Sequence, residues 1–136
     1  MIPKVFTDTN IIIDFIEQRP FNLVHINKIF ESAEDNEIEI LISESVITNA
    51  LYITGLNAQI LKLLNIVNVL CVDTETFKTA MKSTFKDKED GILYYGAIKG
   101  KSDYFVTRNK KDFSNHSLRQ LPVISPKELS DKIVPK

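Results

Sequence analysis

Two kinds of apolar pattern alternate along the chain. Short apolar runs at Val5-Phe6, 38–42, 67–72, 104–107 and 122–124 read as strands. Between them, apolar positions recur at helical spacing. Asn10 opens a helix through Ile11, Ile12, Phe15 and Ile16 that stops near Pro20, and a second helix fits 21–34. Ser43 is placed to cap a helix through about Ile53, with Gly55 as its stop, and another covers about 57–65. Asp73 or Thr74 caps the next, which carries Phe77, Ala80 and Met81 on one side. Lys86 to Glu89 reads as a charged junction and Asp90 to Lys99 as a helix weakened by Gly91 and Gly96. A polar loop spans Arg108 to Gln120, and Ser125-Pro126 starts a closing helix in the order N-cap then proline. Strands alternating with helices predict a parallel sheet covered on both faces, in one α/β domain over residues 1–136.

Composition narrows the class. With 136 residues, 43% hydrophobic and 26% charged, the chain suits a single globular core and excludes a disordered tail, a collagenous repeat or a disulfide scaffold. Its one cysteine, Cys71, lies in the run Val69-Leu70-Cys71-Val72 and is expected in the core. The apolar runs fall far short of the ~18 residues that a membrane span needs. After Met1-Ile2-Pro3-Lys4 the apolar stretch is interrupted by Thr7 to Asn10, unlike a signal peptide, so a cytoplasmic protein without a membrane partner is expected. Seventeen basic against 18 acidic residues give a net charge of −1, so attraction to a polyanion must come from local clustering.

Several familiar chemistries are poorly supported. There is no glycine-rich phosphate loop, no set of zinc ligands and no nucleophile elbow, and the two histidines, His25 and His116, are far apart in sequence. Carboxylates and amides at element ends are the better candidates, because ligands of open parallel sheets bind beyond the carboxyl ends of the strands. Asp8 ends the first strand, where it can cap the next helix or bind a metal. Asp87 and Asp90 share a face if that stretch is helical. Glu44 and Asn49 follow the 38–42 strand; Thr107, Arg108, Asn109 and Asp112 follow the 104–107 strand. Hard oxygen donors of this kind suit magnesium or manganese. A solvated, capping helix start is the competing reading of Asp87, Glu89 and Asp90. Lys99, Lys101, Arg108, Lys110 and Lys111 against the single acid Asp103 form a basic stretch that could hold a phosphate backbone, and Tyr94 and Tyr95 are candidates for base stacking.

In order, Val5-Phe6-Thr7-Asp8-Thr9-Asn10, Ile42-Ser43 through Asn49-Ala50-Leu51-Tyr52, Asp87-Lys88-Glu89-Asp90 and Asp103 through Phe113 resemble the four motifs of the PIN domain, a family of metal-dependent ribonucleases that includes VapC-type toxins. The resemblance runs on to Pro122-Val123-Ile124-Ser125-Pro126. It implies a three-layer α/β/α fold with a five-stranded parallel sheet of order 3-2-1-4-5 and an acidic pocket at its carboxyl edge. It places Asp8 at the first acidic position and Asp90 at the third. The second, usually glutamate, falls on Asn49, and the fourth, often aspartate, on Asn109, with Asp112 three residues beyond.

The resemblance thus implies an endoribonuclease in which Asp8, Asp90 and Asp112, with the amides of Asn49 and Asn109, hold Mg2+ or Mn2+. Thr7, Thr9, Asn10, Glu44, Asp87 and Thr107 would support them, although Glu44 lies about 140° around a helix from Asn49 and cannot take its place. It also implies an RNA substrate, an antitoxin partner and a homodimer. Because each asparagine keeps an oxygen but loses a charge, a PIN-fold module that binds nucleic acid or protein without cutting stays open. So does a different carboxylate-metal phosphohydrolase.

Overall fold

The computed structural model describes residues 2–113 and 120–133. Five strands, β1 (Lys4–Thr7), β2 (Glu39–Ser43), β3 (Val67–Leu70), β4 (Tyr104–Val106) and β5 (Val123–Ile124), form one parallel sheet of order β3-β2-β1-β4-β5. In the central strand β1, Val5, Phe6 and Thr7 are all buried, as expected of a strand covered on both faces. Phe6 pairs with Leu41 on one side and with Phe105 on the other, and its ring stacks on that of Phe105.

Helices α1 (Thr9–Glu17), α2 (Leu23–Glu34), α3 (Glu44–Thr54) and α4 (Asn57–Leu64) connect β1, β2 and β3, and α7 (Pro126–Lys132) packs on α2. Helices α5 (Thr74–Lys82) and α6 (Lys88–Lys99) pack together and carry the chain from β3 back across to β4. Because parallel crossovers are right-handed, reversing direction along the sheet puts α5 and α6 on the opposite face from α1 to α4. The result is three layers, α/β/α. The reversal occurs at β1, whose neighbours β2 and β4 are reached in opposite directions. That leaves a crevice at the carboxyl ends of β1 and β4, the usual ligand position in such sheets.

Side-chain caps start four of the helices. Asp8 accepts from Ile11 N, Asp73 from Thr76 N, Asp87 from Glu89 N, and Ser125 forms a capping box with Glu128. Two starts therefore precede those expected from the pattern. Helix α1 begins at Thr9 behind Asp8, and α6 begins at Lys88 behind Asp87, because a carboxylate two or three residues ahead satisfies the free amides of the first turn. The 67–72 run leaves the sheet after Leu70, so Cys71 is exposed rather than in the core. Phe77 and Met81 are 44% and 51% exposed, and only Ala80 of that trio is buried. Within the polar loop, Lys110–Phe113 forms a 3-10 turn that buries Phe113. His116 lies outside the described residues.

Candidate metal centre

Beyond the carboxyl end of β1 lies a cavity of about 390 Å3 whose polar walls include Asp8, Asn10, Asn49, Asp87, Glu89 and Asp90. Three separate segments bring these together: the β1–α1 junction, the middle of α3 and the first turn of α6. Asp8 is 8% exposed and doubly fixed. Its Oδ1 accepts from Ile11 N at 3.2 Å, and the Thr107 hydroxyl bonds to the same carboxyl. That hydroxyl in turn accepts from Asn109 N at 3.1 Å. Burial pushes the Asp8 carboxyl above its usual range, while the Thr107 hydroxyl, the Ile11 amide and the Arg108 charge pull against it.

The Asp90 carboxyl is also pushed up, to about 7. Burial is the largest cause, followed by the charges of Asp87, Asp112, Asp8 and Glu89. Four carboxylates acting on a fifth make a strongly negative cleft, in which a divalent cation would relieve the repulsion. Asn49 Nδ2 donates to Glu89 Oε1 at 3.1 Å. A carboxylate from α6 thus stands beside the Asn49 amide. Glu89 escapes a reading of the sequence that starts the helix at Asp90, and the Asp87 cap is the signal that finds it.

The remaining candidates fall into distinct places. Asp112 is exposed on the 3-10 turn and reaches the cleft through its charge on Asp90. The Asn109 side chain is exposed, and its backbone amide makes the bond to Thr107. Thr9 lines the cavity, but the buried hydroxyls of Thr7 and Thr9 have no hydrogen-bond partner, so Thr107 is the threonine that orients Asp8. Glu44 is directed away from the cavity and accepts from Val72 N at 3.0 Å, tying α3 to the end of β3.

Of the basic residues, Lys99 is bonded to Asp73 and Lys110 to Glu128 at 2.7 Å. Lys101 and Lys111 are exposed. Arg108 turns inward, with its Nε 3.5 Å from the fully buried Asp14. Tyr94 is not a stacking surface. It is 2% exposed among Phe85, Phe105 and Phe113, and its hydroxyl donates to Leu121 O at 3.0 Å. Tyr95 packs edge-on to the rings of Phe85 and Tyr94.

The chemistry of the donor set fits a hard divalent cation: clustered carboxylate oxygens, an amide and a partly protonated Asp90. Among the described residues, no three His, Cys, Asp or Glu side chains stand close enough together to hold an ion as placed. Asp8 and Asp90 would supply direct oxygens, and waters would complete the shell, as is usual for magnesium.

The PIN domain family matches the chain over residues 4–111. No curated protein gives a significant match. Among solved structures, the chain is similar to one in VapBC2 from Rickettsia felis bound to a DNA fragment from its promoter. The identity is 16%, over 90% of this chain and 98% of that one, with a TM-score of 0.67. It is also similar to a chain of a toxin-antitoxin complex from Klebsiella pneumoniae, at 20% identity over 90% of this chain and 97% of that one, with a TM-score of 0.66.

Proposed function

The chain belongs to the PIN domain family, and from that premise we propose that it is a metal-dependent endoribonuclease working in the cytoplasm as the toxin of a toxin-antitoxin pair. Divalent metal ions are the general cofactor of PIN domains. The observation that carries the reading is the gathering of Asp8, Glu89 and Asp90, with Asn49, around one cavity at the switch point of the sheet.

In this reading Asp8, Asp90 and the nearby Asp112 hold Mg2+ or Mn2+. When bound, the metal supplies an activated water at neutral pH and offsets charge on the cleaved phosphate. The chain does the positioning. Thr107 and the Ile11 amide keep Asp8 in one rotamer, and the backbone amide of Asn109 fixes that threonine hydroxyl. Asn49 holds Glu89 at the rim, so the amide keeps a carboxylate near the pocket although it carries no charge itself. Lys101 and Lys111 are exposed and, in this reading, would face a bound RNA backbone. The toxin-antitoxin complexes among the similar structures support an antitoxin partner, and a homodimer of single-domain chains completes the proposal.

The test is cleavage of a single-stranded RNA with manganese by wild type, Asp8→Ala and Asp90→Ala. Loss of cutting in both variants, with the fold retained, supports the site; activity surviving both substitutions rejects it. One feature favours a second reading, a PIN-fold module that binds without cutting: Asn49 and Asn109 are amides, which keep an oxygen but carry no charge for a metal. Manganese titration separates the two, because micromolar binding lost in Asp8→Ala excludes the module without a working metal site.

A further inference from the structure

Asp14 lies in the second turn of α1 and is fully buried. Its carboxylate sits between two guanidinium groups, with Arg108 Nε at 3.5 Å and Arg19 Nη1 at 3.6 Å. Neither of its oxygens nor Arg108 Nε, all buried, makes a well-formed hydrogen bond. A buried ion pair of this kind adds no stability over apolar residues of equal volume. What the pair achieves is placement.

Arg108 directly follows Thr107, the residue whose hydroxyl holds Asp8, and the Arg108 charge reaches the Asp8 carboxylate. A guanidinium is therefore fixed just beyond the end of β4 by the buried Asp14, next in sequence to Thr107 and within electrostatic reach of Asp8 in the acidic cleft. Three other cations of the region have carboxylate partners elsewhere: Lys99 on Asp73, Lys110 on Glu128, and Arg19 on Glu17 at 2.6 Å. Arg108 keeps 26% of its side chain exposed and carries five N–H donors, of which the buried Nε faces Asp14. A planar guanidinium with free donors is suited to paired bonds with a phosphate.

We propose that Asp14 and Arg108 form a preset phosphate clamp, in which Arg108 contacts a phosphate of the strand in the cleft and Asp14 is the positioning residue that fixes the guanidinium. The proposal rests on the reading of the cleft as an RNA site. It separates Arg108 from the lysines around it, since its partner Asp14 is fully buried whereas Lys99 and Lys110 pair with half-exposed surface carboxylates. It also gives the buried Asp14 a role in substrate binding that acts only through Arg108.

The experiment compares the full chain with Asp14→Asn, Arg108→Lys, Arg108→Met, Asp14→Asn in the Arg108→Met background, and the pair Asp14→Leu/Arg108→Met. The last replaces both ions by apolar groups and keeps the interior filled if single substitutions fail to fold. Two assays are run: the affinity for a labelled single-stranded RNA in calcium over a range of salt, and the kinetics of cutting in manganese, giving kcat and KM. Arg108→Met is expected to weaken binding about tenfold or more, as for a lost charged hydrogen bond. It should also flatten the salt dependence by about 0.7, one phosphate contact on a single strand. Arg108→Lys keeps the slope but raises KM, because the paired geometry is lost. Asp14→Asn raises KM when Arg108 is present and has no further effect in the Arg108→Met background.

Wild-type affinity and KM in Arg108→Met and in the apolar pair would overturn the clamp and leave the nuclease reading standing. An Asp14→Asn effect that persists undiminished without Arg108 would overturn the positioning role. RNA binding that depends on Arg108 in a wild type that cuts nothing would refute the nuclease and keep the clamp. A wild type that binds no RNA refutes both.

Discussion

Replacing Asp90 by asparagine should stabilise the metal-free protein. The Asp90 carboxyl ionises at an ordinary value of 3.8 in the unfolded chain and at about 7 in the fold, where burial and four carboxylates oppose its charge. Between those two values the folded state binds more protons than the unfolded one, so stability falls as pH rises from the lower to the higher. Above the higher value the full penalty is present, and below the lower it is absent. The interval corresponds to a ceiling of about 4 kcal/mol. Because Asp90 is only partly buried, solvent screening reduces this to about 1–2 kcal/mol. Asp90→Asn removes the charge and keeps the shape.

The assay is urea unfolding in EDTA at a series of pH values. The variant should match wild type near pH 4 and gain about 1–2 kcal/mol by pH 8, or roughly 4 °C in Tm for a chain of this size. Manganese should then raise the Tm of wild type more than that of the variant, since ligand binding to the native state adds stability in proportion to affinity. A variant no more stable than wild type at pH 8, or a gap that widens toward acid, would refute the electrostatic account of the cleft.

Three other outcomes follow from single contacts. Thr107→Val removes the hydroxyl that bonds Asp8 and accepts from Asn109 N; it should cost about 1–2 kcal/mol in urea unfolding and weaken manganese binding about tenfold in calorimetry. Asn49→Asp places a carboxylate where an amide now donates to Glu89 at 3.1 Å, so Tm should fall in EDTA while manganese affinity rises several-fold, and the opposite pair of changes would contradict the proposed metal corner. Cys71, exposed just beyond the end of β3, should react with a maleimide in the native protein at nearly the rate seen in urea; protection by folding would return it to the core.

The order of elements, the parallel sheet and the capping carboxylates Asp8, Asp73 and Asp87 are written in local sequence. Apolar runs too short for helices, separated by amphipathic segments, leave few other ways to bury the same surface. The strand order 3-2-1-4-5 came through resemblance, since periodicity does not say which strands are neighbours. Asp8, Asn49, Asp87 and Asp90 were legible as polar positions at element ends, and the fold brings all four to one cavity.

What local pattern could not decide is what each side chain meets. Cys71 shares its apolar run with core residues, yet the strand ends one residue earlier and leaves it in solvent. Tyr94 and Tyr95 look alike in sequence, and only the packing of Phe85, Phe105 and Phe113 buries the first. Glu89 reaches Asn49 across forty residues of chain, and Asp14 meets Arg108 from ninety-four residues away. Sequence by itself determined the elements, their sheet class and the acidic character of their ends, because hydrophobic period and capping act within a few residues. Tertiary structure alone decided the charge partners of the cleft, because burial and Coulomb energy depend on distances that close only when α1, α3, α6 and the end of β4 come together.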